Sequence, residues 1–303
     1  MAGGTNKYWI SGASANFSDD TKWSLASGGG NNTTHPTGTD VANFVTGSGN
    51  GDCTVAANVS CGNIAMSGIS TGPQMTVNNG VTLTAGVINI SGTKGISNNG
   101  TINCTGFTVT AGTISNNSGA FNVTGNFTFN GNSLAIDLGS GPVSISGNLG
   151  IAGSTAFSFK STSGILSLGG NLSYTGPSAG GGFLHNGGTI NLTGVDQTIN
   201  GAAFTYYNFE KIISGKLTLQ ASTSHIVQAM HTLTGMTIVS STPGTAIPFN
   251  ITGPVAWSGL TISDMQNVNA NMPARAIGGS HRGNQNTTGI LFNFEDQGCC
   301  MET

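Results

Sequence analysis

Ile96-Ser97-Asn98-Asn99-Gly100 returns as Ile114-Ser115-Asn116-Asn117-Ser118, a shift of 18 residues. Val77-Asn78-Asn79-Gly80 stands 19 residues before the first copy. Farther along, Gly125-Asn126-Phe127, Gly147-Asn148-Leu149 and Gly170-Asn171-Leu172 follow one another at 22 and 23 residues. Self-similarity at such a period means that each repeat is one supersecondary unit. It cannot bury its apolar side alone and must stack on its neighbours. A period drifting between 18 and 23 is the length of one turn of a β-helix.

Within each repeat the pattern is short and alternating. Val81-Thr82-Leu83-Thr84, Gly86-Val87-Ile88-Asn89-Ile90, Thr101-Ile102-Asn103-Cys104 and Phe121-Asn122-Val123-Thr124 all alternate apolar with polar. Alternation turns one face inward and the other to solvent. Strands of four or five residues are too short for a wide sandwich. Stacking successive turns instead pairs each strand with its equivalent one rung up, at about 4.8 Å. Asn at equivalent positions can then ladder its side-chain amides along the stack. Gly and Asn also tolerate the left-handed backbone that corners need.

Composition supports the same architecture. The chain has 303 residues, of which 49 are glycine, and only 6% are charged, against roughly 25% in an ordinary domain. Few Lys, Glu or Arg and no long Ala/Leu stretch leave no amphipathic helix to draw. The fold expected is all-β, a right-handed parallel β-helix (β-solenoid) with N- and C-terminal capping segments.

Several functions are disfavoured. The formal net charge is -3, and the two arginines are Arg275 and Arg282. There is no basic stripe to neutralise phosphates, so no nucleic-acid partner is expected. No run of about 18 apolar residues could span a membrane. The opening Met1-Ala2-Gly3-Gly4-Thr5 is not a signal peptide, so synthesis in a cytoplasm is expected.

The chain divides into three parts. Residues 1–50, with Tyr8, Trp9, Phe17, Trp23 and Phe44, read as the N-terminal cap and first coil, the tryptophans covering the bottom rung. Residues 51–262 read as parallel β-helix rungs, roughly ten of them, forming a rod of roughly 50 Å. Residues 263–303 change character again, with Asp264, Met272, Pro273, Arg275, His281 and Arg282, and read as the C-terminal cap and tail.

No residue set stands out as a catalytic, cofactor or metal site. Glycan-cleaving β-helices need clustered carboxylates, and from Cys53 to Val195 the charges are Lys94, Asp137 and Lys160. Asp196, Glu210 and Lys211 form the one candidate cluster, read chiefly as exposed charge; Asp264 would join only if the fold gathers it. His225 and His231 are six residues apart and share a strand face only if the strand is unbroken. His185 reads as a corner hydrogen-bonder. His281-Arg282 reads as a capping turn. Gly28-Gly29-Gly30 and Gly180-Gly181-Gly182 lack the lysine and following helix of a phosphate loop. Tyr206-Tyr207 could stack on a sugar ring, though a buried stack within the rungs is the favoured reading. The cysteines are Cys53, Cys61, Cys104, Cys299 and Cys300. Their spacing fits no zinc site; buried free thiols are favoured, with a Cys53–Cys61 disulfide as the alternative and Cys299-Cys300 in an exposed tail.

The ends carry a resemblance. Tyr8-Trp9-Ile10-Ser11-Gly12, Asn16-Phe17-Ser18-Asp19, Lys22-Trp23-Ser24, Ser27-Gly28-Gly29, Pro36-Thr37 and Asp40-Val41 resemble a W-x-G-G-x-G-N-W-S-D opening followed by W-S, S-G-G and P-x-x-x-D-x-V. Phe183 to Ile190, Gln197-Thr198-Ile199, Tyr207-Asn208-Phe209 and Gly289 to Phe292 are similar to the same group. That group is the β-helical repeat proteins of phage virions and bacterial surfaces. Phe17, Ser11 and Ile290 depart from it, standing where Trp, Gly and Trp are usual. The resemblance implies a non-enzymatic structural protein of a phage virion, a decoration or fibre element. Its partners would be other virion proteins, capsid or tail, and copies of itself, a trimer being the commonest assembly of such rods. The alternative is a carbohydrate-binding adhesin or receptor-binding module contacting a host-surface glycan; a glycan depolymerase ranks last.

Overall fold

The computed structural model describes residues 4–47, 49–67, 74–92, 94–131, 134–153, 158–175, 183–201, 204–268, 274–277, 281–282, 287–288 and 290–292. Their regular structure is strand apart from one short 3-10 turn at Asp20–Lys22. The strands stack in parallel as a β-solenoid.

Each turn contributes a strand to each of three faces. One face begins at Ala15–Asn16 and Cys53–Val55 and climbs through Met75–Val77, Ile96–Asn98 and Gly112–Ser115 to Phe183–Leu184, an eight-stranded parallel sheet. Four further strands, Phe204–Tyr206, His225–Val227, Ile247–Ile251 and Met265–Asn267, form a second sheet beyond it. The other two faces are joined into one sheet because Thr82–Ile90 and Thr101–Val109 run through both.

Those two nine-residue strands correct the expectation of short strands broken at Gly86 and after Cys104. The reason lies in the alternation. At Gly86-Val87 and again at Thr105-Gly106, two successive side chains avoid the interior, and inward alternation then resumes. The chain changes face without leaving the hydrogen-bond ladder.

The repeat seen in sequence is the rung. Ile96 pairs with Ile114 and Ser97 with Ser115. Phe127 pairs with Leu149, and Leu149 with Leu172. Val77-Asn78-Asn79-Gly80 sits differently: Ile96 pairs with Met75, and Asn98 with Val77. The similar letters are two residues out of register, because the ladder aligns inward-facing residues and not letters. The parallel pairing also continues on both sides of 51–262. Val41–Val45 pairs with Asn63–Ser67, and Ala274–Ile277 lies between Val255–Ser258 and Ile290–Phe292. His281-Arg282, expected in a turn, is a short strand beside Thr261-Ile262.

The interior is narrow and filled by stacked side chains. Phe107, Phe127, Phe129, Phe159 and Phe183 follow one another with ring centroids 4.5–5.3 Å apart. Near the N-terminal end, Trp9, Phe17, Trp23 and Phe44 form a buried cluster. The indole N–H of Trp9 donates to the Gly51 carbonyl at 2.8 Å, and that of Trp23 to the Phe17 carbonyl at 2.8 Å. Trp23-Ser24 pairs antiparallel with Tyr8-Trp9, the one antiparallel pairing among the described residues. An edge only two residues long is a poor template for a further strand.

Asparagine ladders hold neighbouring rungs together. Asn116 accepts from Asn98 at 2.6 Å inside the coil. Outside it, Asn117 donates to Asn99 and Asn122 to Asn103, both at 2.9 Å. The Gly-Asn marker is a related device. The Asn126 side-chain oxygen accepts from the Asn148 backbone N–H at 2.9 Å, and that of Asn148 from Asn171 at 2.7 Å. The paired glycines there are needed for close approach. A Cβ on Gly147 would stand 2.5 Å from the Gly125 carbonyl and 2.6 Å from the Asn126 side-chain oxygen.

Gly147→Ala should therefore destabilise the fold by about 1–3 kcal/mol, the usual cost of overpacking. Gly150→Ala, whose Cβ would meet nothing closer than the Ser173 hydroxyl at 3.6 Å, should cost little or nothing. Thermal melts of the two variants check the difference; equal losses would contradict the close-packed corner.

Candidate functional site

The acids, histidines and cysteines singled out in the sequence are mostly consumed by the fold. The Asp137 carboxylate lies 3.2 Å from the Lys160 ammonium one rung up and accepts from the Gly139 N–H at 2.8 Å. Asp52 pairs with Lys94 at 3.3 Å and Asp40 with Lys7 at 2.9 Å. His35 and Asp20 are 2.6 Å apart. The His185 ring accepts from the Gly187 N–H at 2.9 Å, across a corner where Asn186 has φ 49° and Gly187 φ 77°. That is the corner role expected of it.

Cys53, Cys61 and Cys104 are buried free thiols, so the alternative of a Cys53–Cys61 disulfide is not realised. Burial pushes the thiols of Cys61 and Cys104 up to about 12 and that of Cys53 well above its ordinary value. Such thiols stay protonated and unreactive. Cys299, Cys300, Gly180-Gly181-Gly182, Met272-Pro273 and Gly283-Asn284 lie outside the described residues.

The Asp196–Glu210–Lys211 cluster comes apart. Asn208–Lys211 is one strand, and alternation sends Asn208 and Glu210 outward but Phe209 and Lys211 inward. Lys211 is therefore no exposed charge; it is fully buried. Its ammonium donates to the Gly194 carbonyl and, at 3.0 Å, to the side-chain oxygen of Gln197. Gln197 in turn donates to the carbonyls of Leu168 at 2.9 Å and Gly170 at 2.7 Å. Burial lowers the Lys211 pKa, and nearby Asp196 opposes the shift. This is a staple between turns. Asp196 accepts from the Lys216 backbone N–H at 2.8 Å. It lines a recess of about 480 Å³ with Lys216, Met236 and Thr261. Glu210 lines a different recess, and Asp264 is buried with φ 59°. The three acids do not meet in either recess.

His225 and His231 lie on separate strands, His225–Val227 and His231–Thr234. Both point into the coil and are fully buried. The Phe249 ring stacks on each, 5.3 Å from His225 and 5.4 Å from His231. Nδ1 of His225 is 3.1 Å from the Tyr206 hydroxyl. His225 Nε2, both ring nitrogens of His231 and Trp257 Nε1 have no hydrogen-bond partner. Among the described residues no group of three or more His, Cys, Asp or Glu could hold a metal ion.

What remains for chemistry at the surface is one patch beside Glu210. The register sets Asn191, Glu210 and Thr232 in a column on three consecutive rungs. Thr189 and Asn208 are in register in the neighbouring column. A recess of about 100 Å³ is lined by Thr189, Asn208, Phe209, Glu210, Met230 and Thr232. Asn208 donates to the Thr189 hydroxyl at 3.2 Å and accepts from the Met230 N–H at 3.0 Å, so its amide is fixed. The pair Tyr206-Tyr207 splits: Tyr206 is buried as expected, but Tyr207 is 40% exposed. Its ring lies 5.6 Å from that of His185 at 22°.

Compared with protein-family models, curated proteins and solved structures, the chain finds no match.

The buried imidazoles predict acid sensitivity. Burial depresses both pKa values from 6.5 to about 3, so the folded protein holds these rings neutral. The unfolded chain binds the protons that the folded chain refuses, so stability falls as pH drops below 6.5. Each ring contributes up to about 1.4 kcal/mol per pH unit in that window. Urea midpoints measured from pH 7 down to about 4.5, above the usual carboxylate range, isolate the effect. His231→Phe should flatten the profile; an unchanged slope would contradict burial of the neutral ring.

Proposed function

We propose that this chain is a non-enzymatic structural protein of a phage virion, a β-helical decoration or fibre element exposed on the particle surface, its coil right-handed as the resemblance implies. The observation that carries the reading is the parallel ladder, continued turn upon turn from Val41–Val45 to Ile290–Phe292. A rod built this way resists bending, because every turn is hydrogen-bonded to the next along the axis. It suits a particle that must survive outside a cell. The W-x-G-G-x-G-N-W-S-D-like opening points the same way, and its two tryptophans are buried at the N-terminal end of the stack.

The engaged polar groups favour structure over catalysis. Hydrolytic β-helices need paired carboxylates in one groove, and Asp196, Glu210 and Asp264 are apart. The reading includes self-association, with a trimer as the first assembly to test. Val195, Ile212 and Ile213 are exposed large apolar side chains on the turns flanking Gln197–Gly201 and Gly215–Leu219, which lie side by side. They give lateral contacts an apolar component.

Purified particles from the source, examined by mass spectrometry and cryo-electron microscopy, test the proposal. It expects stoichiometric copies on a symmetric shell or tail. Absence from every particle, together with a monodisperse monomer in solution, would overturn it.

A further inference from the structure

We infer that the outer face around Glu210 and Tyr207 is a binding site for a neutral glycan, spanning two adjoining pyranose rings. The inference stands apart from any place on a virion.

Glu210 differs from the other acids near it in the chain. Asp19, Asp20, Asp40, Asp52, Asp137 and Asp196 each accept a hydrogen bond from a neighbouring side chain or backbone N–H. Glu210 has no hydrogen bond or ion pair among the described residues, although it is half-buried on a regular strand. Its column neighbours Asn191 and Thr232, one rung below and one above, likewise make no side-chain hydrogen bond among the described residues. Three unused polar groups in line on a stiff sheet, an acceptor-only carboxylate between an amide and a hydroxyl, match the alternating donors and acceptors of sugar hydroxyls. Bonds from hydroxyls to a carboxylate are charge-assisted and stronger than neutral ones.

Tyr207 supplies the apolar half. It stands three residues before Glu210, about 10 Å away along the strand direction. His185 packs along one side of its ring, and the Gly187 N–H holds His185 in place, so the exposed tyrosine is a fixed platform. An aromatic face of this kind suits the C–H face of a pyranose. Exposed Met230 and the fixed amide of Asn208 floor the space between the two groups. The site is preformed, so little ordering entropy opposes binding. A cationic ligand would satisfy Glu210 as well, but it would leave the amide and hydroxyl of its neighbours unused.

Saturation-transfer NMR of the full chain with maltose, cellobiose, lactose and chitobiose tests the site. The expected result is millimolar binding of at least one, weakened about tenfold or more by Glu210→Gln and by Tyr207→Ala. Asp137→Asn, on another face, should leave it unchanged. Glu210→Gln is isosteric and outward-facing, so it reads the site even if Tyr207→Ala perturbs the corner. No binding by any of the four disaccharides, or binding that survives both substitutions, would overturn the inference.

Discussion

The backbone hydrogen bond between one turn and the next governs this molecule. It fixes rung spacing at about 4.8 Å, and that distance decides which side chains may stand above one another. Phenylalanines can stack at that spacing, as the series from Phe107 to Phe183 does. Amides can ladder, as Asn98 does with Asn116. At the tightest corners no side chain fits at all, which is why Gly125, Gly147 and Gly170 succeed one another. A chain this poor in charge can fold because the ladder satisfies its backbone while a thin apolar column fills the middle.

The same constraint leaves little material for chemistry. Where the coil must turn sharply or bury a polar group, a side chain from a neighbouring rung is drafted in: Gln197 and Lys211 at one corner, Asn116 at another. Acids at the surface cap backbone N–H groups or pair with a lysine on another turn. Function must then come from the outer columns that structural work leaves unoccupied, and the column through Asn191, Glu210 and Thr232 is such a place.

Much of this was legible in the sequence, for a physical reason. A repeat records a constraint that recurs every turn, so the Ile-Ser-Asn-Asn copies and the Gly-Asn marker gave the rung length directly. Departures from the repeat were not legible. Lys211 reads as surface charge until the parity of Phe209 is known, and parity depends on where Tyr207 bends out of the preceding strand. The same bend separates buried Tyr206 from exposed Tyr207. His225 and His231 look like a polar pair, yet an intervening corner sends both inward against Phe249. Val77-Asn78-Asn79 misled because matching letters lay two residues out of register.

The claim beneath all of this is that residues equivalent in the repeat lie in straight columns, one rung apart. The column through Asn89, Thr108, Thr128, Gly150, Ser173 and Asn200 faces outward and can carry spin labels. Electron–electron distance measurements on labelled pairs would test it most directly. From Asn89 to Ser173 is four rungs and from Asn89 to Asn200 five, so distances of about 19 Å and about 24 Å are predicted, growing by one rung spacing each step. Distances that fail to rise with rung number, or that fall for the more distant pair, would contradict the solenoid and everything built on it.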